Sequence, residues 1–218
     1  MEIFNHKKIF QFSVLKISFK RNFNHQMNPT IQNVNSILLK NKFGIINLLN
    51  SNYYNYIYLN AEIIPEQRDD LISILSIIYK YNTENKKIIF KSAVTYQAAL
   101  KGDDVFKIPS LIGFLEIGFK MHLKALKIVS GINVHYFNSY YANAYDPALN
   151  NFYLQDEKKT GGYPYAALFV KTEVGNVHFK FSVNHVNEGL LNTPYYSTLH
   201  YPNSPRSYQI SLSWLFKD

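Results

Sequence analysis

The 218-residue chain is long enough to bury a substantial core in one or two domains, and its lack of cysteine excludes a disulfide framework and a thiolate metal site. Its net charge of +8 sits on lysines scattered singly or in pairs, without the spacing of a nucleic-acid-binding motif, so nucleic acid is not an expected partner. Charged residues make up only 17 % and aromatics 16 %, yet no window approaches the ~20 apolar residues of a membrane-spanning helix.

In chain order, MEIFNHKKIFQFSVLKISFK opens with the basic pair Lys7-Lys8 and an apolar run broken by Gln11, Ser13 and Lys16. No small-residue cleavage site follows, so it does not read as a signal peptide. Strands are expected over the first fifty residues, although the alternation there is the weakest in the chain. DDLISILSIIYKYN is ambiguous: Leu71, Ile74, Leu75 and Ile78 have helical spacing, whereas Leu71, Leu75, Ile77 and Tyr79 would line one side of a strand. The neighbouring segments favour the strand.

From there the period is two. In KKIIFKSAVTYQAAL, Ile88, Phe90, Val94 and Tyr96 oppose Lys91, Thr95 and Gln97. In LIGFLEIGFKMHL, the odd positions from Leu111 to Leu123 are apolar apart from Gly113, and Glu116, Lys120 and His122 lie between them. In KALKIVSGINVHYF, Leu126, Ile128, Ile132 and Val134 oppose Lys127, Asn133 and His135. In YAALFVKTEV, Leu168, Val170 and Val174 oppose Lys171 and Glu173, with Phe169 breaking the polar side. Val177, Phe179, Phe181 and Val183 alternate with His178, Lys180, Ser182 and Asn184, and Tyr208, Ile210, Leu212, Trp214 and Phe216 with Gln209, Ser211 and Ser213. Such repeated alternation predicts amphipathic β-strands.

Between these segments short turns near 82–86, 123–125 and 175–176 alternate with long links over 65–70, 101–110, 142–164 and 187–205. In an up-and-down sheet that places every short link at one end and every long link at the other, as in outer-membrane barrels. A sheet in lipid must pair its own backbone polar groups, so it spans only by closing on itself, oily side outward. Tyr136, Tyr140, Tyr141, Tyr163, Tyr165, Trp214 and Phe216, near strand ends, are expected in interfacial girdles.

HYFNSYYANAYDPALNNFYLQDEKKTGGYPYAALFVKTEV, FKFSVNHVNEGL and YYSTLHYPNSPRSYQISLSWLFKD together resemble the C-terminal region of the putative porin family of the Bacteroidetes. The matching segments are Tyr136–Ala148, Phe152–Glu157, Gly161–Tyr165, Lys180–Asn187 and His200–Arg206. SNYYNYIYLNAEIIPEQRDD resembles an upstream piece of the same family, so the resemblance runs over residues 52–218 and thins before that. It implies a β-barrel of the bacterial outer membrane, passing small solutes by passive diffusion and dealing with membrane lipids and the outer-membrane assembly machinery. The alternative is a non-conducting barrel that serves as partner or plug in a larger outer-membrane assembly. Family chains are longer and begin with a signal sequence, and barrels often end on an aromatic, whereas here Phe216 precedes Lys217 and Asp218; a C-terminal portion of a longer gene is the simplest expectation.

The expected fold is therefore all-β, a single domain over 1–218: an antiparallel up-and-down transmembrane β-barrel, or the C-terminal part of a larger one, of roughly ten strands. The expected pore-lining residues are Lys91, Glu116, Lys120, Lys127, Lys171, Glu173 and Lys180, whose excess of lysine implies a mild preference for anions. His122, His135, His178, His185 and His200 lack metal-ligand spacing, and Asp156-Glu157 beside Lys158-Lys159 reads as a solvated loop cluster. No phosphate cradle, nucleophile elbow or triad is visible, so no enzymatic activity, catalytic residue, cofactor or metal is expected.

Overall fold

The computed structural model describes residues 9–19, 27–191 and 196–216, and every element in them is a strand. In chain order these are β1 (Ile9–Phe19), β2 (Thr30–Asn41), β3 (Gly44–Tyr54), β4 (Tyr56–Leu59), β5 (Pro65–Arg68), β6 (Ile72–Glu84), β7 (Ile88–Lys101) and β8 (Leu111–Leu123). There follow β9 (Leu126–Phe137), β10 (Ala144–Asp146), β11 (Asn151–Tyr153), β12 (Tyr165–Val174), β13 (Val177–Asn184), β14 (Tyr196–Thr198), β15 (Tyr201–Pro202) and β16 (Ser207–Trp214). Lys7-Lys8, Lys217 and Asp218 lie outside the described residues.

Ten strands form one antiparallel meander in the order β1-β2-β3-β6-β7-β8-β9-β12-β13-β16, in keeping with the roughly ten expected. The links 42–43, 85–87, 124–125 and 175–176 all fall at one end, and the links 55–71, 102–110, 138–164 and 185–206 at the other. Local chemistry makes the short links tight. The Asn41 side chain accepts from the Phe43 N–H, the Asn85 side chain from both Lys87 and Ile88, and Lys124 and Gly175 adopt φ of 54° and 56°.

The segment with helical spacing is strand β6. Leu75, Ile77 and Tyr79 share one face with Val94 and Tyr96 of β7, as the strand reading requires. Ile72 and Ile74 point to the other face, where they are buried against Val105, with Tyr53, Tyr56, Phe106, Ile108 and Leu154 around them. The strand is apolar on both sides at its long-link end, which is what imitates a helical period.

That cluster belongs to a cap made by the long links. The links 55–71 and 138–164 contribute β4, β5, β10 and β11, joined as a second sheet in the order β10-β11-β4-β5. The expected plain link over 65–70 therefore contains strand β5. Gln155, buried in the link 138–164, is fully paired: its amide N–H groups donate to the Ala142 and Lys158 carbonyls, and its carbonyl accepts from the Glu157 and Lys158 N–H groups.

Cross-strand register sorts the side chains of the main sheet onto two faces. From β7 to β16 one face is almost wholly apolar, with rows such as Phe119–Ile88 and Ile132–Leu168–Val183–Tyr208. Ile210 and Leu212 on it are each 69 % exposed, and this face has no packing partner among the described residues. On β2 and β3 the same face is apolar toward the short links, at Ile37, Leu39, Ile46 and Leu48. Toward the long links it turns to Asn33, Asn35, Asn50 and Asn52.

Phe169 does not interrupt the polar side as a misplaced residue. It is buried on that side, directly opposite Gly131 of β9, which itself pairs with Gly118 of β8. A Cβ on Gly131 would lie 2.8 Å from the tip of the Phe169 ring and 2.1 Å from the Ile117 carbonyl oxygen, so the ring occupies the place two missing side chains leave.

Candidate functional site

All seven charged residues expected to line a pore project to the polar face. The register places Lys91 opposite Glu116, Lys127 opposite Glu173 and Lys171 opposite Lys180, while Lys120 shares its strand parity with Glu116. Lys40 and Lys80, joined through Ile45 in one cross-strand row, lie on that face too and were missed. Counting parity outward from the short links would have found both.

Five of the seven, Lys120, Lys127, Lys171, Glu173 and Lys180, line one cavity of about 640 Å³ near the short links; Lys91 and Glu116 stand outside it. Its wall runs from Glu84 on β6 to Ser213 on β16. Those strands are six sheet positions apart, which in a flat sheet would set them about 29 Å from each other. Both lining one cavity requires the sheet to curl, with the charged face concave and the apolar face convex.

Most of the charge is internally compensated. Lys91 Nζ donates to Glu116 Oε1 at 2.9 Å, Lys127 Nζ to Glu173 Oε1 at 2.6 Å, and Lys120 to Glu84, thirty-six positions back in the chain. His178 Nδ1 stands 4.0 Å from Glu173 Oε2. Lys171 and Lys180 have no ion pair among the described residues; Lys171 Nζ rests 4.5 Å above the Phe169 ring. Among the seven, Lys171 and Lys180, which face each other, are thus the two whose charge no described carboxylate offsets.

The residues that carry the family resemblance converge elsewhere, at the long-link end. Tyr163 Oη lies 2.7 Å from His185 Nε2 and 3.0 Å from the Asn187 carbonyl oxygen. The Ser204 carbonyl, 2.9 Å from His185 Nδ1, can only accept, so that nitrogen carries a hydrogen. Asn187 bridges the Pro164 carbonyl and the Ala166 N–H, and the Arg206 guanidinium donates to the Val186 and Glu188 carbonyls. His185 is fully buried, stacked on Tyr165 with ring centroids 4.7 Å apart. Burial, more than the nearby Glu188, pushes the Tyr163 hydroxyl above its ordinary range. This is a lock for the link 185–206. It also removes Tyr163 and Tyr165 from the expected girdle: Tyr163 is 5 % exposed and Tyr165 shares the inner-face row of His135. Trp214 and Phe216, stacked at 4.9 Å, keep an exposed outward position.

In the cap, the Arg68 guanidinium binds Asp104 and holds its carboxyl below the usual range. Tyr58, desolvated and donating to Glu66, is pushed up to about 12. Among the described residues no three His, Asp or Glu side chains gather as a metal site, and no helix is long and apolar enough to cross a membrane.

Residues 5–218 match the model of the family described as Putative porin, so the match extends through the first fifty residues, where the motifs alone were thin. No curated protein matches the chain.

Proposed function

The chain belongs to the Putative porin family, and on that premise we propose that its sheet closes, β1 to β16, into an outer-membrane barrel through which small hydrophilic solutes diffuse passively. The observation that carries this reading is the pairing of a convex, unpartnered apolar face with a concave charged one. A contiguous apolar surface of this extent is not left to water, whereas acyl chains solvate it without cost. A lipocalin-like inversion would instead turn Phe119, Leu168 and Ile210 inward onto one another.

The two edges suit such closure. β1 runs from the short-link end to the long-link end and β16 runs back, so their pairing would be antiparallel and would complete an even-numbered barrel. Every described side chain of both strands is exposed, as expected of strands awaiting a partner. In this reading the protein is a channel and not an enzyme, its partners being lipids, small solutes and the machinery that assembles barrels. The seven charged residues line the lumen.

One observation favours the second reading, a non-conducting barrel that acts as partner or plug. The cap packs Val105 and its aromatic neighbours over the inner-face residues Tyr53, Ile72 and Ile74, at what would be the mouth. Single-channel recording from the purified, reconstituted chain separates the two. Discrete current steps support the pore; a silent bilayer with correctly folded protein removes it in favour of the plug.

A further inference from the structure

The cavity near the short links carries more than a diffuse charge. Lys171 and Lys180 sit directly opposite each other on β12 and β13, and Lys180 in turn faces Ser211 on β16. Like charges directly opposed across a sheet repel, and every other lysine that the sequence singled out on this face is held by a carboxylate. An acid at either position, or at the Ser211 position, would have neutralised the pair as Glu173 neutralises Lys127. Instead the row supplies two ammonium groups and a hydroxyl, with Lys86 of the turn between β6 and β7 on the same cavity. Phe169, buried across Gly131, lies under Lys171 Nζ and gives that ammonium an aromatic face to rest on.

We propose that this row is a binding site for a small oxyanion, of the phosphate or carboxylate class, held between the Lys171 and Lys180 ammonium groups with Ser211 Oγ–H as a further donor. The proposal deepens the porin reading and rests on it for its biological sense: the site would be an anion-selecting station on the permeation path. Ammonium groups bind compact, strongly hydrated oxyanions through charge-assisted hydrogen bonds, and low-dielectric walls around a charged cleft raise the local concentration of counter-ions. Chloride, which offers no oxygen atoms to a row of donors, would be held less well.

The test is equilibrium binding to the detergent-purified full chain, measured by calorimetry with inorganic phosphate in a chloride background and repeated with acetate. Saturable phosphate binding that weakens at least tenfold in the double variant K171Q/K180Q, and is unchanged in K16Q on the convex face, supports the site. Single variants K171Q and K180Q make the same comparison with less change to the sheet, and K171R/K180R should retain binding. Acetate binding at the same site extends the class to carboxylates, and binding of phosphate alone restricts it to phosphates. Absence of saturable binding, or equal affinity in the lysine variants and the wild type, overturns the proposal. Because the readout is binding, a silent bilayer with intact phosphate binding would count against the pore alone, and a conducting channel that binds no phosphate against the site alone.

Discussion

The ring of Phe169 on β12 lies across Gly131 on β9, covering the strip of backbone that Gly131 and Gly118 leave bare. The residue that looked like a fault in an otherwise polar row is thus the filler of that row, and it carries Lys171 on its face.

This relationship makes Gly131 the least replaceable of the three glycines inside β8 and β9. Gly131→Ala should destabilise the fold by about 1–3 kcal/mol through overpacking. The shortest contact of the added carbon, 2.1 Å, is to backbone, so Phe169→Ala in the same chain should not rescue it. Gly118→Ala, whose nearest neighbour is a Val129 methyl at 3.1 Å, should be milder. A double-mutant cycle of urea unfolding in lipid vesicles measures all three.

The two faces of the last strand should respond oppositely to charge. Leu212→Lys places an ammonium on the convex face and should cost about 2–4 kcal/mol if that face meets hydrocarbon at mid-depth. Gln209→Lys on the concave face should leave stability nearly unchanged. Equal costs in vesicle unfolding would contradict the assignment of the faces.

At the other end, Tyr163→Phe removes the hydroxyl shared by His185 Nε2 and the Asn187 carbonyl. Losing a hydrogen bond within a buried cluster costs about 0.5–1.5 kcal/mol. The cost should appear as local opening of the link 185–206, read by hydrogen exchange, with the sheet still protected.

Acid should loosen the cap before it affects the sheet. The carboxyls of Asp104 and Glu66 are held below their ordinary values of 3.8 and 4.5, the first mainly by Arg68 and the second mainly by the Tyr58 hydroxyl. A depressed carboxyl contributes stability that is complete above its ordinary value and disappears as pH falls through the folded one. Cleavage of the link 102–110 by pepsin should therefore accelerate below about pH 4. Asp104→Asn should bring part of that loosening to neutral pH. Both groups are exposed, so the effect is modest and local.

Strands, their number and the sorting of short from long links were legible because period two and turn chemistry are local. A lysine at 171 and a valine at 170 declare opposite faces without reference to anything distant. What depended on register was not legible. Lys120 finds Glu84 rather than a nearer acid, Ile74 faces Val105 across a link, and Lys171 meets Lys180 only because a two-residue turn sets them level. The seven charged positions could be listed from parity, but which of them cancel and which remain free required the pairing of strands. Tyr163 and Tyr165 were misplaced for a related reason: their aromatic character suggested an interface, and nothing in the sequence announced the buried histidine that claims both.

Ten is an even number, and this has a practical consequence for topology. Ile9 and Trp214, the outermost residues of the first and last strands, lie at the same end of the sheet, alongside the tight hairpins. In a spanning orientation a reporter at either residue would meet the same compartment. A label in the stretch around Leu149 would meet the opposite one, so two reagents that cannot cross the bilayer suffice to orient the molecule in an intact cell.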